Sequence, residues 1–425
     1  MLEEFLQYIW KYGLFDRHNL VSDTGEPVEI IKLGEQNMNA GPDFTDVRLR
    51  IGKTLWAGNV EVHIHASDWY KHQHHKDEAY SSVVLQVVHK SDQTVKRKNG
   101  EVLPSVELKF DDHIYRNYKE LIGNKMWIAC QDKLAGLDKF VINYWMDTLM
   151  IERLIEKSSS IRQTLEQNHN DWTETFYIHL ARNFGFKVNA DPFEMLARSV
   201  PVKYLARHKN NLSQLEAVLF GQAGFLNDNA EDEYINTLRK EYKFLQSKFN
   251  LKPLDKHIFK FLRLRPDNFP TIRIAQFASL IYKSSFLFSK IIDTESVSKL
   301  TGCFDIAASD YWSEHYQFGK EFAGRKNKKK LGNESFNNII INTVAPFLFL
   351  YGLVNGREDV KDRALNFLHD VPAEKNAIIR GWAETGIKPV NAFQSQALIQ
   401  LKNNYCNRHK CLQCQLGNKI ITTIN

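Results

Sequence analysis

Two carboxylates and a run of histidines carry most of the chemistry in this chain. Gly41-Pro42-Asp43-Phe44 opens an alternating apolar run that reaches a Gly52-Lys53 turn, and the next run closes with Asn59-Val60-Glu61-Val62-His63. Side chains alternate faces along a strand, so Glu61, His63 and His65 point one way while Val60, Val62 and Ile64 point the other. Each ionisable group would cost several kcal/mol if desolvated alone, so they face a metal, a cleft or one another. A carboxylate at the start of one strand and a second near the end of its partner bring two hard oxygen ligands together, which suits Mg²⁺ or Mn²⁺. Such an ion polarises a phosphodiester and lowers the pKa of an attacking water. The alternative is a solvated polar strand face.

Register tests this reading. Pairing the strands about Gly52-Lys53 puts Val47, Leu49 and Ile51 on the apolar face but sets Asp43 opposite Val62, turned away from Glu61. A one-residue bulge restores a common face, and Gly58 or the entry at Gly41-Pro42 suits one. Five of the 15 histidines fall between His63 and His75. His72 and His75 are one helical turn apart and could hold a second metal or phosphate; a His-rich polar helix face is the plainer reading.

The Pro42-Asp43 and Glu61 pattern, with a helix before the strands, resembles the PD-(D/E)XK nucleases. There the Asp and Glu bind metal and a Lys two residues after the Glu helps activate water. His63 occupies that Lys position, as base or ligand, and its ordinary pKa near 6.5 does not make it a dependable cation. Lys71 or Lys76 could supply the charge, which makes Asp43, Glu61, His63 and Lys71 the catalytic candidates.

Three of the five cysteines close the chain as Cys406-Asn-Arg-His409-Lys-Cys411-Leu-Gln-Cys414. A C-x₂-C pair grips one ion, Cys406 or His409 adds a third ligand, and Cys130 is the natural fourth, for zinc or a [4Fe-4S] cluster. Free reduced thiols are the alternative. One distant cysteine with a terminal trio is similar in pattern, though not in spacing, to the iron-sulfur staples of some PD-(D/E)XK nucleases.

The elements that must position these residues come in two textures. From about residue 28 to 110, β-branched runs at 28–33, 44–51, 54–64, 83–89 and 102–109 alternate with turn signals, after a helix marked by Leu2, Phe5, Leu6, Ile9 and Trp10 and around a short helix over 68–80. Beyond about residue 135 the period becomes helical. Leu137, Phe140, Val141, Tyr144, Trp145, Ile151 and Ile155 form the expected buried stripe of a long helix, and Asp171-Trp-Thr-Glu174 caps the next. A helix ends at Gly221, Pro270 opens another, and more fill 336–354, 358–369 and 392–405. The expected fold is α+β or α/β: an N-terminal mixed-sheet PD-(D/E)XK-like domain over 1–130, a larger all-α domain over 131–405, and a cysteine tail over 406–425 docked on the first domain.

Five segments together identify a family. Asn39-Ala-Gly-Pro-Asp-Phe44, Gly58-Asn-Val-Glu-Val-His63, Ser67-Asp-Trp-Tyr70, Glu216-Ala-Val-Leu-Phe-Gly-Gln-Ala-Gly-Phe225 and Arg265-Pro-Asp-Asn-Phe-Pro270 resemble domain of unknown function 2851, a family chiefly of Bacteroidetes. The resemblance implies no activity, so the nuclease expectation rests on the motif.

Length and composition agree with several folded domains: 425 residues, 43% hydrophobic and 25% charged. The acidic Met1-Leu2-Glu3-Glu4 start and the interrupted apolar stretch 339–354 argue for a cytoplasmic protein. The net charge is +6, and six of the basic residues (Lys320, Arg325, Lys326, Lys328, Lys329, Lys330) lie in 320–330 against the single acid Glu321, leaving +1 for the rest. That loop either holds a DNA or RNA backbone or is a solvated linker. The functions to weigh are a metal-dependent nuclease or phosphodiesterase, an inactive nuclease-like module that binds nucleic acid or protein, and a His/carboxylate hydrolase of a small molecule.

Overall fold

A computed structural model describes residues 1–227, 232–284, 286–322 and 324–424; residue 323 of the basic loop and residue 425 of the tail lie outside the described residues. The chain forms two compact units, 1–142 with 402–425, and 143–401. The boundary therefore falls inside the long helix Lys139–Gln167, and the cysteine tail belongs to the first unit.

The first unit is built on a mixed sheet. Helix α1 (Glu3–Tyr12) buries Phe5, Leu6, Tyr8, Ile9 and Trp10 and ends at Gly13, whose φ of 61° closes the helix. Strands β1 (Val28–Lys32), β2 (Glu35–Gln36), β3 (Phe44–Ile51) and β4 (Thr54–His65) follow. After the short helix α2 (Asp68–Lys71) come β5 (Val83–Lys90), β6 (Val95–Lys96), β7 (Val102–Leu103), β8 (Ser105–Glu107) and helix α3 (Asp112–Gly123). The main sheet has the order β1-β3-β4-β5-β8, with β2 also on β3; β1, β3 and β4 are antiparallel, β4, β5 and β8 parallel. β4 lies between β3 and β5, so Val60, Glu61, Val62 and His63 are all buried although they alternate faces.

The second unit is mostly helical. Asp171 caps Trp172–Phe184 by accepting from the main-chain N–H groups of Thr173 and Glu174, but the box is not closed: the Glu174 carboxylate accepts from the Val202 N–H, and the Asp171 N–H goes to the Asn168 carbonyl. The long helix corrects one expectation: Phe140, Tyr144 and Ile155 are 73%, 61% and 55% exposed, while Leu149, Met150, Leu154 and Ile161 are buried. Apolar residues lie on several sides of this helix, so its periodicity does not single out the inward face. Gly221 does not terminate its helix, which runs Leu212–Gln222; a Cβ there would lie 2.2 Å from the Tyr242 ring, so glycine admits a crossing helix. Asn333–Asn355 is long and apolar enough to cross a membrane by composition, but 67% of its most apolar window is buried within the protein.

Candidate functional site

The bulge that the two-carboxylate reading needs is present, at a different place. β3 and β4 pair regularly from Ile51↔Thr54 to Val47↔Gly58, then shift to Phe44↔Val60, so β3 carries one extra residue between Phe44 and Val47. Asp46 takes up the turn with φ 53°, a left-handed conformation that Asp tolerates better than most residues. Gly34 packs against it, where a Cβ would lie 2.4 Å from the Thr45 carbonyl oxygen. Neither Gly58 nor Gly41-Pro42 supplies the bulge. At Gly58 a Cβ would meet the Ser82 carbonyl at 2.6 Å, so that glycine admits the approach to β5.

The shift sets Asp43 against Glu61. The Asp43 N–H donates to Glu61 Oε2 (3.0 Å) and the Val62 N–H to Asp43 Oδ2 (3.0 Å), so each carboxylate accepts from a main-chain N–H just beyond the last β3–β4 pair, Phe44↔Val60. Gln7, from α1, donates to Asp43 Oδ1 (2.9 Å). Glu3, one helical turn earlier on α1, adds a third carboxyl. Burial raises its pKa to about 7, with Asp43, Glu61 and Asp68 adding repulsion. Burial likewise raises Asp43, with repulsion from Glu61 second, and burial raises Glu61.

Imidazoles complete the pocket, but not the expected set. The helix over 68–80 stops at Lys71, and Gln73 at φ 63° turns the chain so that His74 enters the site. His74 Nε2 is buried, lies 3.3 Å from Glu61 Oε1, and has no hydrogen bond. His72 joins through Nδ1, 3.2 Å from His63 Nε2, whereas His75 turns onto Tyr70, ring centroids 5.0 Å apart. Lys71 is directed to Asp68 (2.5 Å) with a largely exposed side chain, so it is not beside Asp43 and Glu61. The ligand atoms of His63, His72 and His74 lie within 4.8 Å of one another.

Hydrogen bonding assigns His63 a narrower role than base or ligand. Gln86 on β5 places its amide nitrogen 2.8 Å from His63 Nδ1 and 3.1 Å from the Ala66 carbonyl oxygen. A carbonyl oxygen can only accept, so the Gln86 NH₂ faces that side and His63 Nδ1 accepts the second N–H. Ser105 Oγ donates to Gln86 Oε1 (3.0 Å) and fixes the other end of the amide. Neutral His63 therefore carries its proton on Nε2, the atom facing His72 and, at 3.8 Å, Glu61 Oε1. Burial, with His74 and His72 next, pushes its pKa down to about 3, so it stays neutral. The atoms left to hold a cation are the carboxylate oxygens of Asp43 and Glu61 and the unpartnered His74 Nε2, and the orphaned nitrogen beside Glu61 Oε1 is what such an ion would satisfy.

Gln86, Gln7 and Glu3 are absent from the sequence-derived set. Gln86 has a visible signal, a lone amide within the apolar run Val83-Val-Leu-Gln-Val-Val88. Other residues in and beside the family segments around the site shape the backbone there. Asn37 Nδ2 donates to the Pro42 carbonyl (3.0 Å) to shape the Gly41-Pro42-Asp43 entry, while Ser67 Oγ binds Asp92 (2.8 Å) and Trp69 Nε1 binds the Lys96 carbonyl (3.0 Å).

A family model described as a protein of unknown function, DUF2851, matches residues 3–377. The chain is a DUF2851 protein. Neither the curated proteins nor the solved structures contain a match. Other family segments of this DUF2851 protein also have structural work. Glu216 is buried and accepts from Tyr234 Oη (3.0 Å), and Asn268 accepts from the buried Arg273, which also donates to Ser335 (3.0 Å).

The basic loop belongs to the helical unit and is less cationic than its sequence. Lys326 pairs with Glu314 at 2.7 Å and Lys330 with Asp305 at 3.7 Å. Lys329 is buried, donates to Tyr316 Oη at 2.7 Å and lies 3.8 Å from Asp267.

Proposed function

We propose that this DUF2851 protein is a metal-dependent phosphodiester hydrolase acting on nucleic acid, with its site in the α/β unit. The observation that carries the reading is the Asp46 bulge, which turns Asp43 and Glu61 into a facing pair beside the unpartnered His74 Nε2. Imidazole next to two carboxylates favours Mn²⁺ over Mg²⁺, because Mg²⁺ prefers oxygen and water ligands. A bound ion would polarise the phosphate and activate water. Asp43 and Glu61 hold the ion, and Gln7 and the Val62 N–H orient Asp43. His63, fixed by Gln86, offers a neutral Nε2–H donor where PD-(D/E)XK nucleases place an ammonium group. Lys71 has no part.

The test is cleavage of single- and double-stranded DNA and RNA with Mn²⁺ or Mg²⁺. Cleavage by wild type and its loss in Asp43→Ala and Glu61→Ala is the expected result; no wild-type cleavage, or equal cleavage by the variants, overturns it. Binding of nucleic acid without cleavage would point to an inactive nuclease-like module. The three clustered imidazoles favour a second reading, a His/carboxylate hydrolase of a small molecule, and hydrolysis of small phosphate esters with no action on polymers would select it.

A further inference from the structure

The tail from residue 402 onward folds with the α/β unit but buries little apolar surface where its cysteines lie. It makes two single-turn 3₁₀ segments, Cys406–Arg408 and Cys411–Gln413, neither of which buries a residue. Between them His409 turns left-handed with φ 52°. The terminal helix Gln415–Thr422 then docks: Asn117 on α3 donates to the carbonyls of Ile421 (3.1 Å) and Thr423 (2.9 Å), and Tyr8 Oη donates to Asn418 (2.7 Å). Single 3₁₀ turns are weak by themselves, so the bend before this helix needs another source of order.

The cysteines are placed to supply it. Cys130 and Cys414 are buried, Cys406 and Cys411 are partly so, and none of the four is in a disulfide. Lys402, four residues before Cys406, donates to the carbonyl of Trp127, three residues before Cys130, which brings the two stretches together; burial raises the Cys130, Cys406 and Cys411 thiols, and neighbouring cysteines of the quartet add to each rise. Cys303 lies in the other unit, and His409 is exposed. Two further contacts hold the quartet's frame. Lys402 also sits 4.5 Å above the Trp127 ring, and a Cβ at Gly417 would lie 2.2 Å from the Cys411 carbonyl oxygen, so glycine lets the helix approach the Cys411 turn.

We propose that Cys130, Cys406, Cys411 and Cys414 form a tetrathiolate metal centre that ties the C-terminal segment to the α/β unit. Four thiols in one partly buried place are weak hydrogen-bonding groups and form little core, whereas four thiolates around a thiophilic cation form a closed structural site. Binding replaces the four S–H bonds by metal–sulfur bonds and releases four protons to solvent, so the binding free energy becomes folding free energy for the bend. A single zinc ion and an iron-sulfur cluster use the same four thiolates. The centre is independent of the phosphodiesterase reading.

The experiment uses the full-length protein purified without oxygen, measured for metals and acid-labile sulfide, and alkylated under native conditions. About one zinc per chain, or about four irons with sulfide and visible charge-transfer absorption, supports the proposal. In either case Cys303 is alkylated readily while the other four are protected until a chelator strips the metal. Cys411→Ser and Cys414→Ser lose the metal, whereas Cys303→Ser and the paired Asp43→Ala, Glu61→Ala variant retain it. Because the tail variants could fail to fold, the wild-type protection pattern stands as a separate readout. A metal-free wild-type protein with all five thiols equally reactive overturns the proposal, as does unchanged metal content in the serine variants.

Discussion

Both units bury charged groups, and they do so in opposite ways. In the helical unit Lys157 is half-buried, and its ammonium donates to Gln396 Oε1 (2.8 Å), Asn342 Oδ1 (2.7 Å) and the Ile341 carbonyl (3.4 Å), one acceptor for each proton. Arg153 donates to Gln396 (2.5 Å) and Gln400 (3.3 Å), and Glu374 accepts from Gln396 and Ser395. In the α/β unit three carboxyls repel one another, and His74 Nε2 has no hydrogen bond. Burial of charge is common to both; single unsatisfied atoms also occur in the helical unit, at Glu216 Oε1 and Arg273 Nε, but in the α/β unit the carboxyls and His74 Nε2 converge on one point. A satisfied network specifies packing, and an unsatisfied one is completed by a ligand.

The largest effect expected from this contrast is on stability. Lys157→Ala leaves the Gln396, Asn342 and Ile341 acceptors without their donor and should cost the helical unit about 1–3 kcal/mol in denaturant unfolding. Glu61→Gln should instead raise the melting temperature of the metal-free protein at neutral pH. A loss comparable to that of Lys157→Ala would mean that Glu61 is structural. Next in size is activity: Asp43→Asn and Glu61→Gln should each lower Mn²⁺-dependent cleavage at least about 100-fold, and His74→Ala should weaken Mn²⁺ binding by about 10–100-fold in calorimetry. Gln86→Leu frees the His63 tautomer and should reduce cleavage without abolishing Mn²⁺ binding.

The pH response separates the regions further. Glu3, Asp43 and Glu61 have folded-state pKa values raised above their unfolded ones, so their contribution is present in acid and is lost as pH climbs from the ordinary carboxylate range toward about 7. The melting temperature of the metal-free α/β unit should fall over that window, and Mn²⁺ should remove the fall. Lys157 has its pKa lowered by burial, so its contribution runs the other way and improves as pH rises above neutrality. The smallest effect is expected of Lys71→Ala, since its pair with Asp68 is screened by solvent; cleavage should stay within about twofold of wild type.

Much of the site is legible in the sequence because strand alternation is local. The spacing from Glu61 to His63, and the need for a one-residue bulge to face Asp43 with Glu61, both follow from the two-residue period. The location of the bulge does not, because Asp46 is held by Gly34 and Lys32 from outside the hairpin. Pairing His72 with His75 assumed an unbroken helix, which Gln73 ends. The inward face of the long helix was illegible for a related reason, since several of its sides are apolar and its neighbours choose among them.

By itself the sequence determined a mixed sheet followed by helices, a candidate carboxylate pair on one hairpin, and a terminal C-x₂-C. These depend on residues close along the chain, where backbone geometry leaves few choices. Tertiary structure decided that Glu3 and Gln7 of α1 join the carboxylates, that Gln86 sets the His63 proton, and that Cys130 meets the terminal cysteines. Each of those meetings is made by packing between segments distant in sequence, and no local period encodes which distant side chain will fill a given space.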